Sequence, residues 1–337
     1  MTLGRAARSA AFRVRRAGRA AGRLAATELE RVRYRKHRAD LALFHDFAPP
    51  PYGGGNQFLL ALRGELERRG LEIEVNRISG DTPACLVNSF NFDFRRLRRF
   101  ERPGCRVVHR VDGPIGVYRG FDDGTDARIA NVNADLADAT IVQSQFSLEA
   151  HRRIGVELRN PVVIHNTVDP ELFRPPAVRE PLPGRKARII ATSWSDNPNK
   201  GGGILEWLDR NLDRARFELT LLGRFSGVYE YARVLPPAPS ASVADELRHH
   251  DLFVAASRND PCSNALLEAL ACGLPAAYLD SGGHPELVGD AGLPFREQEE
   301  LLDVLGRLVA EIEARRAAIR LASLADVADR YLEVLQT

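Results

Sequence analysis

The stretch 257-SRNDPCSNALLEALACGLP-275 decides how the rest of the chain is read. Just before it, DLFVAAS (251–257) is an apolar run of strand length that ends in small polar residues. Leu266, Leu267 and Leu270 then recur at helical spacing. Ser263 and Asn264 are suited to cap that helix, and Gly273 followed by Pro275 to end it. The stretch is therefore strand, loop, helix, with Asp260 in the loop at the carboxyl end of the strand, where open parallel sheets bind ligands. The free amides at Ser263, Asn264 and Ala265 and the positive end of the helix dipole suit a phosphate. Asp260 and Glu268, eight residues apart, would repel that phosphate. As ionised carboxylates they can only accept, so they suit neutral hydroxyls. A ligand with phosphate in its middle and hydroxyl-bearing groups at both ends, a nucleotide sugar, meets all of these conditions. The plainer alternative makes Glu268 a solvated helix residue and Asp260 a loop opener before Pro261.

Downstream, 276-AAYLDSGGHPELVGDAGLPF-295 adds a second strand, a Gly282–Gly283 turn that would let backbone approach a ligand, and a further acid, Glu286. From Asp251 to Phe295 the chain resembles the donor-binding half of the retaining glycosyltransferases of family 4, with their Glu-x7-Glu motif. Asp260 and Glu268 fall on its two acids, the first being Asp rather than Glu. The resemblance implies a GT-B fold, in which two Rossmann-like domains face each other across a cleft and the last helix crosses back to the N-terminal domain. It also implies Glu268 on the donor ribose, Asp260 on the donor sugar, transfer with retention, and no catalytic metal or other cofactor.

Upstream, short apolar runs alternate with amphipathic stretches from LALFH (41–45) to PVVIHN (161–166), a βα pattern that predicts a parallel sheet covered by helices. The segment 173-FRPPAVREPLPGRKA-187 is rich in Pro and charge and reads as a linker. The pattern restarts at ARIIATSW and ends in two helical stretches, LLDVLGRLVAEIEARRAAIR and LADVADRYLEVLQ. The organisation expected is a basic arm (1–38), an N-terminal acceptor domain (39–178, completed by 323–337) and a C-terminal donor domain (186–322).

Three further constellations fall between strands and helices. Gly53, Gly54 and Gly55 precede a helix predicted to open at Asn56 or Gln57, and lack the following Gly-Lys-Ser/Thr of a P-loop. They are a flexible turn or a place where backbone meets ligand, and the family resemblance favours Gly54 and Gly55 lining the cleft. His109 ends the apolar run of CRVVHRV; a lone His there is commonly structural, while the resemblance gives it a contact to the donor sugar near the reacting carbon. Asp122, Asp123 and Asp126 read as a turn and helix cap rather than a metal site. Lys200, one of only three lysines, stands before Gly201–Gly203, where a cation beside free amides suits a diphosphate. The family commonly adds an Arg where this chain has Ser195; either Arg224 replaces it or the site is weaker.

At 337 residues and 44% hydrophobic, the chain can bury a core in each of two domains. Cys85, Cys105, Cys262 and Cys272 have no metal-ligand spacing and read as inert thiols. The net charge of +2 conceals an asymmetry: residues 1–40 hold eleven Arg and one Lys against three carboxylates, an excess of nine positive charges, which leaves the rest at −7. An arm so basic and so poor in bulky apolar residues could meet anionic lipid head groups or remain solvated; aromatics are not interleaved as nucleic acid binding would favour. No apolar run reaches the roughly 20 residues of a membrane span. The expectation is a cytoplasmic glycosyltransferase of hexosyl type, possible as a peripheral protein of the inner membrane face through residues 1–38. It would work in cell-surface polysaccharide or glycolipid synthesis with a glycan or lipid-linked acceptor. A non-catalytic nucleotide-sugar-binding subunit and a membrane tether are the alternatives.

Overall fold

The computed structural model describes residues 38–48, 53–79, 81–90, 92–93, 97 and 104–337. The basic arm and most of the stretch FDFRRLRRF (92–100) lie outside these residues.

Two six-stranded sheets form, and every strand pairing in both is parallel. The first contains β1 (Leu41–Phe44), β2 (Ile73–Val75), β3 (Ala84–Asn88), β4 (Arg106–Val111), β5 (Ala139–Val142) and β6 (Pro161–Val163), in the order β2-β1-β3-β4-β5-β6. The second contains β7 (Ala187–Ser193), β8 (Phe217–Gly223), β9 (Arg233–Leu235), β10 (Leu252–Ala255), β11 (Ala276–Leu279) and β12 (Gly292–Phe295), in the order β12-β11-β10-β7-β8-β9. Central strands such as β5, β10 and β11 are buried at every residue, as expected where helices cover both faces. The covering helices are α1 (Gly54–Arg68), α2 (Ile115–Arg119), α3 (Thr125–Leu136) and α4 (Gln145–Arg153) on the first sheet. On the second they are α5 (Gly202–Asn211), α6 (Ser240–Arg248), α7 (Asn264–Ala271), α8 (His284–Val288), α9 (Leu301–Ala310) and α10 (Ile312–Ala317).

The final helix, α11 (Leu324–Gln336), packs on the first sheet, not the second. A capping box of Ser323 and Asp326 starts it. Its Val327, Ala328, Tyr331, Val334 and Leu335 join one core with Phe58, Leu59 and Leu62 of α1, and the Tyr331 ring lies 5.8 Å from that of Phe58.

Each sheet reverses its strand order once, between β1 and β3 in the first and between β7 and β10 in the second. Ligands bind in the crevice outside the carboxyl ends of strands at such reversals. The loops after β1, β7 and β10 are those carrying Gly53–Gly55, Ser195–Lys200 and Asp260–Ser263.

Some elements differ from the sequence reading. The first helix opens at Gly54 rather than Asn56 or Gln57, because the Asn56 side chain, already inside the helix, bonds Ala48 and His45. The stretch 301–320 is interrupted at Glu311. Helices α2 and α8 and strands β9 and β12 span three to five residues each, too few to show a period.

Candidate functional site

A cavity of about 400 Å³ lies between the two sheets. The first sheet contributes Gly53–Gly55, Asp112, Tyr118, Arg119 and Gln143; the second contributes Thr192–Ser195, Lys200, Asp260–Ala265 and Glu268.

Helix α7 aims its N-terminus into this cavity. Ser263 is its N-cap and accepts a bond from the Leu266 amide at 3.4 Å. Among the described residues the amides of Asn264 and Ala265 have no acceptor, and both residues line the cavity, an arrangement suited to an anion. The Asn264 side chain accepts from Asn166 of the first sheet at 3.1 Å. A Cβ on Gly54 would lie 2.3 Å from Asn264 Nδ2, so the glycine is what lets α1 approach α7 across the cleft.

Lys200 ends a short turn (Pro198–Lys200) capped by the Asn197 side chain. Its Nζ donates to Asp260 Oδ2 at 2.8 Å and lies 4.8 Å from the centre of the Tyr118 ring. Burial alone would push the Asp260 carboxyl up, but the Lys200 charge and the Cys262 amide hold it below the usual carboxylate value. Burial would likewise lower Lys200, and Asp260 outweighs it, so its ammonium is held above the ordinary lysine range. Gly201 and Gly202 serve packing: a Cβ on the first would lie 2.3 Å from the Ala256 carbonyl, and on the second 2.2 Å from that of Ser226.

Glu268, one turn into α7, differs from Asp260. Among the described residues nothing bonds its carboxylate, and burial pushes it up to about 8.

Several expected residues lie elsewhere. His109 is fully buried in the middle of β4, its Nε2 at 3.0 Å from the Ser89 carbonyl and its Nδ1 at 3.3 Å from Asn133 Nδ2. Burial lowers it to about 4, which keeps it neutral, and it does not reach the cavity, contrary to a catalytic role. Gly282 and Gly283 also miss the cavity. A Cβ on Gly282 would lie 2.4 Å from the Asp260 carbonyl and one on Gly283 2.4 Å from that of Pro261, so the pair brings its turn under the Asp260 loop. Arg224 is exposed, with its guanidinium 4.6 Å from the centre of the Trp194 ring, outside the residues that line the cavity. Asp122 accepts from Gly124 and Thr125 as a turn residue does, while Asp126 reaches back to the amides of Ile115 and Gly116 at the start of α2.

Two residues missed in the sequence are in place. Asp112, three residues beyond His109, leaves β4 at its carboxyl end, faces the cavity and accepts from Arg110 Nη1 at 3.0 Å and from Gln143. Arg110, fully buried, is itself fixed by Asn88 and Asn166. Arg119, exposed at the end of α2, lines the cavity with no ion-pair partner among the described residues. The rule that placed Asp260, ligands at carboxyl strand ends, would have found Asp112. Glu286 acts between the halves: it accepts from the Gln145 and Phe146 amides at the N-terminus of α4, both at 2.8 Å, and lies 3.2 Å from His165. Burial opposes its charge, but His165 and those amides hold its carboxyl below the usual value.

Residues 211–311 match the family model of the group 1 glycosyl transferases. A D-inositol 3-phosphate glycosyltransferase of Thermobispora bispora is 35% identical over 104 residues, 31% of this chain and 22% of that protein. D-inositol 3-phosphate glycosyltransferase 1 of Catenulispora acidiphila is 29% identical over 195 residues, 48% of this chain and 46% of its own length. Matches to these relatives thus cover less than half of their length. Among solved structures, Anabaena HepE in complex with UDP and glucose superposes with a TM-score of 0.66 at 16% identity, over 89% of this chain and 100% of that one. The catalytic domain of starch synthase IV from Arabidopsis thaliana, bound to ADP and acarbose, gives 0.66 at 10% identity, over 88% and 98%. The fold is GT-B.

Proposed function

We propose that the protein transfers a hexosyl group from a nucleotide-diphosphate sugar to an acceptor hydroxyl, with retention at the anomeric carbon. One observation carries this reading. The α7 amides, the Lys200–Asp260 pair and the unpartnered Glu268 converge on one cavity at the order reversals of two facing sheets. Complexes of similar folds with UDP and glucose and with ADP support a nucleotide-sugar donor.

In the proposed scheme the diphosphate lies against the Asn264 and Ala265 amides and Lys200. Glu268 accepts from the ribose diol, and Asp260, kept ionised, accepts from sugar hydroxyls as Lys200 turns to the phosphate. As the bond from the anomeric carbon to the phosphate oxygen breaks, negative charge grows where fixed dipoles and Lys200 already point, so little reorganisation is needed. The acceptor oxygen bonds the same face of that carbon and its proton passes to the departing phosphate. Arg119, in the cavity where Arg224 is not, supplies the second cation that Ser195 does not. Gly54, Gly55, Asp112 and Gln143 form the acceptor side. The scheme uses no metal and no other cofactor. The acceptor is a glycan or lipid-linked sugar of cell-surface polysaccharide or glycolipid synthesis, and the basic arm places the enzyme on an anionic cytoplasmic membrane face.

The test is nucleoside diphosphate release from a panel of UDP-, GDP- and ADP-sugars with saccharide acceptors, with and without EDTA, and NMR of the product's anomeric configuration. Release in EDTA with a retained anomer is expected. No release from any donor, or an inverted product, would sink the proposal.

A further inference from the structure

A second cavity, of about 700 Å³, lies far from the chemistry just described. It is walled by Arg174–Glu180 of the segment joining the two sheets, by Arg185 and Arg188 at the start of β7, and by Arg248–Asp251 just before β10. These are the amino ends of parallel strands, so the cavity is at the opposite end of the second sheet from the α7 site.

Its charge is unbalanced. Five guanidinium groups, those of Arg174, Arg179, Arg185, Arg188 and Arg248, face two carboxylates in the wall. Buried Asp251 is occupied, accepting from Arg185 Nη1 at 2.6 Å and Nη2 at 2.8 Å and from the Arg188 amide at 2.9 Å. Glu180 pairs with Arg188, and Asp245, outside the wall, with Arg248. Arg174 and Arg179 have no carboxylate partner among the described residues. Arg179 is half-buried and fixed, its Nη1 donating to the His250 carbonyl at 2.9 Å and its Nη2 to that of Cys272 at 2.7 Å. Behind the wall, Arg316 pairs with Glu313 at 2.6 Å and lies 3.6 Å from Asp251, with its buried Nε and Nη2 lacking any hydrogen-bond acceptor. Burial and the Arg316 charge hold the Arg179 guanidinium below its usual range, against the opposing pull of Asp251 and Glu313.

We infer that this cavity binds a phosphorylated ligand, a phosphomonoester or pyrophosphate group held by Arg174 and Arg179 with Arg248 at the rim. Guanidinium forks match phosphate oxygens in geometry as well as charge, and Arg174 and Arg179 are the two in the wall with no ion-pair carboxylate among the described residues. The phosphate is either that of a soluble compound or that of a lipid head group presented at a membrane.

Two probes separate these sources: inorganic pyrophosphate, followed by thermal midpoint, and sedimentation with phosphatidic acid vesicles against phosphatidylglycerol vesicles of equal surface charge, which attract the basic arm alike but carry no phosphomonoester. Two variants locate the site. Arg174→Glu reverses an exposed charge with no partner to lose, and Lys200→Met/Asp260→Asn removes the charged pair of the cleft while leaving the second cavity intact. A saturable rise in midpoint with pyrophosphate is expected, kept in the cleft variant and needing at least tenfold more pyrophosphate in Arg174→Glu; this assigns a soluble ligand. Vesicle binding reduced at least tenfold by Arg174→Glu, without a pyrophosphate response, assigns the lipid form. The inference is overturned if neither probe binds, or if Arg174→Glu leaves binding of both unchanged. Failure of the donor panel above would leave these outcomes as they stand, since no residue of the second cavity takes part in transfer.

Discussion

Replacing Glu268 by Gln should stabilise the free protein and weaken its hold on a donor. The carboxyl titrates near 4.5 when exposed and is raised to about 8 in the fold. Between these values the folded chain keeps a proton that the unfolded chain has released, so stability is full below pH 4.5, falls as pH rises, and levels off above 8. At pH 7 the native state pays for about 2.5 units, which at about 1.36 kcal/mol each is roughly 3 kcal/mol, and contact of the cavity with water reduces this to about 1–3. Gln has no proton to give up. The variant should therefore match the parent at pH 4.5 and exceed it by about 1–3 kcal/mol at pH 7.5. Urea unfolding followed by tryptophan fluorescence suits the measurement, because Trp194 and Trp207 both belong to the second sheet and its helices. Donor affinity should move the other way at pH 8 and above, where the carboxylate is formed, falling by roughly 1.5–3 kcal/mol because the ribose diol loses a charged acceptor. In the parent, affinity should rise with pH toward 8 as the carboxylate forms, a trend the variant lacks. A Gln variant that is no more stable at pH 7.5, or a stability difference equal at both pH values, would refute the reasoning.

Lys200→Met strands the buried Asp260 carboxylate and should cost about 3–5 kcal/mol at pH 7; adding Asp260→Asn should recover most of it in the same urea assay, while donor binding stays lost in both. Gly54→Ala puts a methyl within 2.3 Å of Asn264 Nδ2, so the halves must separate; turnover should drop at least tenfold, with donor binding much less changed, by calorimetry and initial rates. Removing residues 1–38 should abolish low-salt sedimentation with anionic vesicles and leave turnover on a water-soluble acceptor intact; equal sedimentation of both forms would dismiss the arm as a tether.

The α7 side of the candidate site was legible because its signals are local. A cap, a helix dipole and a strand end lie within a dozen residues of each other, and the chain need only fold as strand, loop, helix to bring Asp260, Ser263 and Glu268 together. His109 was misplaced for the opposite reason. In a central strand buried on both faces, alternation does not say which side chain reaches the strand's end, and the residue that lines the cavity there is Asp112, held by Arg110 of the same strand and by Gln143 beyond the neighbouring β5. Contacts between the halves were invisible as well: Gly54 against Asn264 and Glu286 on the α4 amides join residues 140 or more apart in the chain. The glycines show the difference. Gly201, Gly202, Gly282 and Gly283 look like ligand loops in one dimension and are close backbone crossings in three.

The return of α11 to the first sheet has a consequence for how the chain is made. The last strand of that sheet ends at Val163, but Tyr331, wholly buried in its core, emerges from the ribosome only after the entire second sheet. At about 5–20 residues per second the wait is roughly 10–30 s. During that time the groove over Phe58 and Leu62 lies open and apolar, while the second sheet receives its last strand at Phe295, before α11 appears. The half that is synthesised first is thus completed last, and a nascent chain stalled short of residue 324 would carry a finished second sheet beside an unfinished first one.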